Sequence, residues 1–587
     1  MGADSAGVRL CINLRCEKMS FINKTVKSPL FFPLLLLSGI FAYYLYHVNY
    51  IAMPTEDYMG NFRPFVLSIL SGNFSDIGNK LLPAYPFLLA AVTKAFPKDL
   101  PDPVYSAMLF VNMLLAIPFL WLAYITFRRF LDKNLSFFAL LFLGLNLYTM
   151  YSCLNAELEI FLCTASILAL YLTAIDSKAA LIPTALTGII KWDSVFIIAA
   201  YALRVFAKTK KLLHFILSGC AAAVPLLAWM AFTILRKNPS TNTYIGEIAQ
   251  RGPNIYKYPF DVLLSAAGFP RWLALDIYKN ENMASSIIPA IILIAALAVS
   301  LCLLVLGVRA FIKAKDTMKL PIAVFASGFF IIHIIYQNTK DRYVIPIIWL
   351  LVLLIFLALS GNREKIKDKL FFQKSLPLNI LYFVITGIFF IQSVASLFKR
   401  HDIFIALFAL FFIAIVFFFL RTQTSLNTKG RLLVCLLAGT FCNLNIAYGA
   451  NALDHFSLRR IEFKEAALYF KDSAPKASRL LIAETAVPKY YIGDTSCELI
   501  PTRSLKSKNL KELEEEIREK KITHIFIDDF YITRLALNDP NAIDKKAALM
   551  KELRDAAAGM KSLRLLKTFE AYSGAKAYLY AVTEHRP

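Results

Sequence analysis

The sequence predicts a polytopic α-helical membrane protein of about 13 transmembrane helices, with a small C-terminal α/β domain outside the membrane. Three observations carry that prediction. Of 587 residues, 58% are hydrophobic and only 18% are charged, and the mean hydropathy is +0.56; soluble domains are about a quarter charged. Apolar runs of spanning length recur from Leu30 to Tyr448. Beyond about Asn451 the composition turns abruptly to mixed, charged sequence.

Taken in order, residues 1–29 form a basic, cytoplasmic N-terminus with Lys18, Lys24 and Lys27. The run Leu30–Val48 is long enough to span, and no small-residue cleavage pattern follows, so it reads as a first helix rather than a removed signal. Further spans are expected at Val104–Phe127, Leu135–Met150, Ile160–Ile175, Leu212–Leu235, Ile287–Phe311, Pro321–Tyr336, Tyr343–Ser360, Leu378–Phe398, Ile403–Leu420 and Leu432–Tyr448. Residues 30–450 thus make the transmembrane domain.

One stretch has two readings. Ala179–Phe206 is interrupted by Lys191-Trp192-Asp193. As one helix it would put two charges near mid-bilayer, at roughly 2.5–3.5 kcal/mol each. As two short helices, each is about 20 Å long, less than the hydrocarbon core, and the turn must be lined by protein. The basic clusters decide. Arg128/Arg129/Lys133, Arg204/Lys208/Lys210/Lys211, Arg309/Lys313/Lys315/Lys319, Arg363/Lys365/Lys367/Lys369 and Arg421/Lys429/Arg431 share one side only if the chain goes out and returns. The C-terminus is then outside.

That topology leaves three outside segments: a first loop 50–103, a second large loop 236–285, and an extracytoplasmic α/β domain 451–587. The first loop holds two amphipathic stretches, Phe62–Leu70 and Tyr85–Phe96, too short to span and suited to the interface plane. In the tail, strand-like runs at Leu480–Ala483, His524–Ile527, Leu563–Phe569 and Ala577–Val582 alternate with helical patterns at Glu462–Lys471, Leu510–Lys520 and Asp544–Ala558. It carries no GxGxxG and no P-loop, which argues against a nucleotide site.

The charge is lopsided, with 64 Lys+Arg against 41 Asp+Glu and a net +23. In a polytopic chain this reports cytoplasmic loops and anionic headgroups, so membrane lipids rather than nucleic acid are the expected partners. The nine Cys are scattered, with no CxxC and no histidine spaced for a metal site.

Intramembrane and interfacial charges are the candidate functional residues. Glu56 and Asp57 open the first loop as an adjacent pair, of which one can serve as a base while the other orients it or binds a cation; the plainer reading is a solvated loop pair. Glu157, in the short turn Asn155–Glu159, faces the same side, or caps a helix N-terminus. Lys191 and Asp193 lie in the broken stretch, as a phosphate contact or as a pair that solvates the turn. Arg342, in Lys340-Asp341-Arg342-Tyr343, starts a span on the outside, where its fork suits a phosphate and Tyr343 suits interfacial anchoring. Arg251, Lys257 and Arg271 are weaker candidates, Trp272 is an interfacial anchor, and His333 reads as a core residue of an apolar helix.

A carboxylate near several cations at the outer interface suits transfer of a sugar from a lipid phosphate. The leaving group is an anion already at headgroup level, where Arg342 and Lys191 can stabilise developing charge. A carboxylate opposite deprotonates the incoming hydroxyl, and attack at the anomeric carbon inverts it. No nucleotide sugar is required.

On these residues the chain resembles the GT-C superfamily of membrane glycosyltransferases, in particular the bacterial branch of protein O-mannosyltransferases and the lipid A aminoarabinose transferase. The matching features are Thr55-Glu56-Asp57-Tyr58, Leu70-Ser71-Gly72-Asn73, Pro83-Ala84-Tyr85-Pro86-Phe87-Leu88, Asn155-Ala156-Glu157, Thr187–Asp193 and Asp341–Pro346, in that order over Leu30–Tyr448. Each is short; their order is the stronger signal. The resemblance implies a GT-C fold, a polyprenyl-phosphate-linked monosaccharide donor, and inverting transfer outside the membrane to a glycan, lipid or protein hydroxyl. It maps the catalytic carboxylate to Asp57 or Glu56, with Asp57 favoured because Tyr58 follows directly. Relatives commonly read Asp-Glu or a single Asp before Tyr, whereas this chain reads Glu-Asp-Tyr. Lys191 stands where many relatives carry arginine; it keeps the charge and loses the planar fork. Some relatives bind a divalent metal near the acidic motif, and no ligand cluster in this sequence marks one.

The competing function is a transporter or flippase of a lipid-linked saccharide, which predicts two related halves with opposed broken helices, and no internal repeat of that kind is readable. A non-catalytic scaffold is the third. The composition suits a bacterial inner membrane.

Overall fold

The computed structural model describes residues 30–48, 54–55, 57–74, 81–97, 99–154, 158–235, 257–266, 283–335, 341–361, 387, 390–391, 394, 403–422, 434–443, 445–446, 461–475, 477–483, 485–493, 497–529, 532, 545–570 and 576–583. The chain divides into two compact units. One comprises Met1–Asn49 and Phe65–Asn451, and the other joins Tyr50–Pro64 to Ala452–Pro587.

The first unit is helical. Its described helices are α1 (Phe31–Val48), α2 (Arg63–Ser71, which begins in the second unit), α3 (Ala84–Thr93), α4 (Pro103–Phe130), α5 (Lys133–Gly144), α6 (Leu147–Leu154) and α7 (Glu159–Ala174). They continue with α8 (Leu181–Gly188), α9 (Val195–Thr209), α10 (Leu212–Leu235), α11 (Lys257–Ala266), α12 (Met283–Lys313), α13 (Lys319–Ile335), α14 (Ile345–Gly361) and α15 (Ile403–Arg421). Five described helices are long and apolar enough to cross a bilayer: α1, α4, α10, the segment Ile294–Lys313 of α12, and α15. This is an integral membrane protein. The two amphipathic stretches of the first loop are the short helices α2 and α3. The expected span Leu378–Phe398 lies outside the described residues, apart from isolated positions.

The expected single span Leu135–Met150 is instead a bent pair. Helices α5 and α6 meet at 53°. Leu145 leaves helical geometry, and the Asn146 side chain accepts the Tyr148 backbone N–H at 2.9 Å, starting a new helix. A local side-chain acceptor outcompetes continuation of the backbone ladder. Asp132 caps the start of α5 in the same manner, accepting from Asn134 N and Leu135 N.

Ala179–Phe206 goes out and comes back. Asp176, just before α8, binds Arg204 Nε at 3.1 Å and Lys208 Nζ at 3.2 Å near the end of α9. A single straight helix would hold Asp176 and Arg204 about 42 Å apart at 1.5 Å per residue. The ends therefore share a side, as the distribution of basic clusters requires. Arg129 of α4 likewise reaches Asp316 at 3.1 Å and Thr317 at 3.0 Å, joining two loops expected on that same side.

Close approach is made by small residues. A Cβ on Gly307 of α12 would run into the Leu354 carbonyl of α14, so only glycine fits where these backbones touch. Much of α10 faces outward with Leu213, Leu217, Val224, Leu227 and Ile234 exposed, which lipid rather than water can solvate.

The second unit contains a five-stranded sheet. Strands β1 (Arg479–Ile482), β2 (Glu498–Pro501), β3 (His524–Asp528), β4 (Leu563–Glu570) and β5 (Lys576–Val582) lie in the order β2-β1-β3-β5-β4. β1 pairs parallel with β2 and β3, whereas β5 is antiparallel to β3 and β4. Alternating residues serve two layers. Leu481, Ile525 and Ile527 join a core with Leu513 and Ile517 of α18 (Leu510–Glu519) and Leu549 and Leu553 of α19 (Lys545–Ala557). On the other face, Phe526 and His524 meet Phe463 and Phe470 of α16 (Ile461–Ser473), with ring centroids 5.0 Å apart in each pair. β2 and α17 (Ala486–Ile492) are elements that the sequence patterns do not mark.

Candidate functional site

The turn between α8 and α9 is built to hold an extended lysine. α8 ends at Gly188, Lys191 is extended at φ −152°, ψ 145°, and Trp192–Ser194 form one 3₁₀ turn before α9. The Ser194 hydroxyl donates to the Thr187 and Lys191 carbonyls, which closes the turn. The Ala84 N–H donates to the Ile189 carbonyl at 3.1 Å, pinning α3 of the first loop to it. Backbone groups freed by the break thus find partners inside protein.

Around this turn the fold gathers four ionisable side chains that are nearly or fully buried. Lys191 Nζ lies 3.2 Å from Asp193 Oδ2 and 3.7 Å from Glu159 Oε1, at the start of α7. Asp193 Oδ2 also lies 3.4 Å from His333 Nε2, at the end of α13. The other ring nitrogen, Nδ1, donates to the Phe329 carbonyl at 2.7 Å, because a carbonyl can only accept. The Lys191 ammonium sits 4.5 Å from the centroid of the Tyr343 ring, a cation–π contact. Tyr258 of α11 stacks on His333 at 4.9 Å and donates from its hydroxyl to the Tyr343 carbonyl at 3.2 Å. Glu159, Lys191, Asp193, His333 and Tyr343 are each at most 9% exposed.

Two carboxylates therefore engage one ammonium. Charges this deeply desolvated are retained only when paired and hydrogen-bonded.

The acidic motif belongs to the second unit. The Thr55 hydroxyl accepts the Tyr58 N–H at 3.2 Å and the Thr55 carbonyl accepts the Met59 N–H at 3.0 Å. Thr55 thus starts a helical turn with Asp57 in its first residues, where the helix dipole favours an anion. Tyr58–Phe62 follow in π-helical geometry. Asp57 is half-buried, Tyr58 is fully buried, and the Asn61 side-chain amide donates to Asp57 Oδ1 at 3.3 Å.

Of the residues singled out in the sequence, the structure brings together Lys191, Asp193 and Tyr343, and places Asp57 and Tyr58 together in the other unit. Glu56, Glu157 and the Arg342 side chain lie outside the described residues, as do Arg251, Arg271, Trp272 and the side chain of Lys257. His333 is a buried residue, as expected, yet it is also a partner of Asp193. Glu159 is the carboxylate of the Asn155–Glu159 turn that meets Lys191. An acid opening an otherwise apolar helix was the available signal for Glu159. For His333 and Tyr258 no sequence signal exists, since only the packing of α13 and α11 brings them to the turn.

Among the described residues, no group of three His, Cys, Asp or Glu side chains is placed to hold a metal ion.

No family model and no curated protein matches this chain. Among solved structures, it is similar to ArnT from Cupriavidus metallidurans bound to undecaprenyl phosphate, at 11% identity and a TM-score of 0.53, over 95% of this chain and 99% of that one. The chain has the GT-C fold. Weaker likenesses are the apo form of that ArnT (13% identity, TM-score 0.49, 90% of this chain and 94% of that one) and the Archaeoglobus fulgidus oligosaccharyltransferase tethered with an acceptor peptide (10% identity, TM-score 0.48, 92% and 74%). Among the described residues, the Lys191 turn is where three charged side chains, those of Glu159, Lys191 and Asp193, are buried together in the helical unit.

Proposed function

We propose that the protein is an inverting glycosyltransferase that moves a monosaccharide from a polyprenyl-phosphate donor to a hydroxyl acceptor on the outer side of a membrane, such as a bacterial inner membrane. The observation that carries this reading is the buried, charged helix break at Lys191 in a chain of GT-C fold, because ionisable groups buried among the helices of a membrane protein are costly and mark functional sites by default. The solved ArnT of the same fold is bound to undecaprenyl phosphate, a leaving group of the chemistry proposed here.

In this reading Asp57, with Glu56 beside it, accepts the proton of the acceptor hydroxyl. The hydroxyl oxygen bonds to the anomeric carbon as the bond from that carbon to the phosphate oxygen breaks. The lipid phosphate leaves with the electron pair, and the configuration inverts. Arg342, next to Tyr343, and Lys191 meet the phosphate, while Asp193, Glu157, Tyr58 and Tyr343 are the further substrate-binding residues of this reading.

The test uses the full-length protein in nanodiscs with a panel of undecaprenyl-phosphate-linked monosaccharides. Wild type is expected to release undecaprenyl phosphate and form a new glycosidic bond. Asp57→Asn should retain donor binding and lose turnover by about 10²-fold or more. Flux of the intact lipid-linked sugar across reconstituted vesicles, with no new bond, would replace the transferase with a flippase.

A further inference from the structure

The C-terminal sheet offers a ligand position that the chain fills itself. β1 is parallel to both neighbours, and α17 leads from β1 to β2 whereas α18 leads from β2 across to β3. In open α/β sheets of this kind, ligands bind outside the carboxyl ends of the strands where the winding reverses. That edge lies beyond Ile482 and Asp528, and Ala486, the first residue of α17, stands there. A Cβ built on Gly60 would meet the Ala486 Cβ at 3.2 Å, so the π-helical turn after Asp57 is seated against it.

One turn along α17, Tyr490 meets the same segment at two points. Its ring centroid is 6.4 Å from that of Tyr58 and 5.2 Å from the Arg63 guanidinium. Tyr58 follows Asp57 directly, and Arg63 ends the π-helical turn. α17 is itself held from behind. The Lys464 ammonium of α16 lies 5.5 Å from the Tyr491 ring, and Lys471 Nζ donates to the Tyr491 carbonyl at 3.4 Å.

We infer that Tyr490 is the positioning residue that aims the Asp57 carboxylate, and that the C-terminal unit serves as the cradle of the acidic segment rather than as a module for a ligand of its own. This rests on the transferase reading for its consequence in catalysis, and on the contacts alone for the seam. An aromatic ring against Tyr58 and a cation over its face fix the rotation of a short helical turn, and a carboxylate base is effective only within hydrogen-bond reach of its proton.

Three experiments on the full chain test it. Gly60→Cys with Ala486→Cys should form an intrachain disulfide on mild oxidation, since the two Cβ positions, 3.2 Å apart, need open only a few tenths of an ångström to enter the range of about 3.5–4.5 Å that suits the bond. Tyr490→Ala should raise amide exchange across Asp57–Arg63 about tenfold, and Tyr490→Phe, which keeps the ring, should hold it near wild type. On a lipid-linked sugar that wild type turns over, Tyr490→Ala should lower kcat about tenfold at unchanged KM, with Tyr490→Phe restoring it. Absence of the disulfide in folded protein, exchange unaltered in Tyr490→Ala, or a raised KM at constant kcat would each overturn the proposal. If the disulfide and exchange results hold while wild type turns over none of the lipid-linked sugars, the seam stands and the transferase reading fails.

Discussion

Asp193 and His333 meet across the helical unit, with Oδ2 of one 3.4 Å from Nε2 of the other, and the same oxygen lies 3.2 Å from Lys191 Nζ. One carboxylate thus ties the end of α13 to the break between α8 and α9.

Removing a single partner of this network should be costly, because it strands a buried charge. Lys191→Met leaves Asp193 and Glu159 without their cation and is expected to lower stability by about 3–5 kcal/mol. Asp193→Asn should cost less, since Glu159 remains 3.7 Å from the ammonium. The double variant should recover part of the loss. Thermal unfolding in nanodiscs measures all three, and strictly additive losses would show that the residues do not act as a pair.

Asp176 and Arg204 give a topological prediction. Single cysteines at the two positions should be labelled by an impermeant maleimide from the same side of the membrane, above the background of the unaltered chain. Labelling from opposite sides would restore one continuous helix. Loss of the Asp176–Arg204 pair itself should change stability by less than about 1 kcal/mol, because its side chains are partly exposed.

Gly307 tests the packing of α12 on α14. Gly307→Val places a branched side chain against the Leu354 carbonyl and should destabilise the helical unit by about 1–3 kcal/mol or more. An unchanged unfolding temperature would mean that these helices are not in backbone contact.

Glu516 makes the second unit sensitive to acid. Burial raises its carboxyl, but the Lys520 ammonium and the Ser507 and Lys506 backbone amides outweigh that and bring it down to about 2. A folded pKa below the unfolded one, about 4.3, gives stability that is complete above the unfolded value. It is lost as pH falls from there toward about 2. Glu516→Gln should remove on the order of 2–3 kcal/mol at neutral pH and flatten the dependence in that window. Amide exchange across β1 and β3 of the full chain, corrected for its intrinsic pH dependence, is the readout.

Much of this molecule was legible in one dimension. The out-and-back course of Ala179–Phe206 followed from where the basic residues fall, and Asp176 with Arg204 displays it. Four of the five strands of the tail followed from short runs of apolar, β-branched or aromatic residues. β2 did not, since Glu498–Pro501 opens on a charged residue and ends in proline, and its pairing with β1 is what makes it a strand. The break at Leu145 was hidden because an apolar run conceals the competition that Asn146 wins within it.

Patterning and charge, which act along the chain and against the solvent, determined the membrane character, the out-and-back course of Ala179–Phe206 and the α/β tail from the sequence by itself. The partnership of Lys191 with Glu159, Asp193 and His333, and the seat of the Asp57 segment on Tyr490, were decided only by tertiary structure. The reason is physical: the energy of a buried charge or a stacked ring depends on which side chains lie within a few ångströms, and distance along the chain does not encode that.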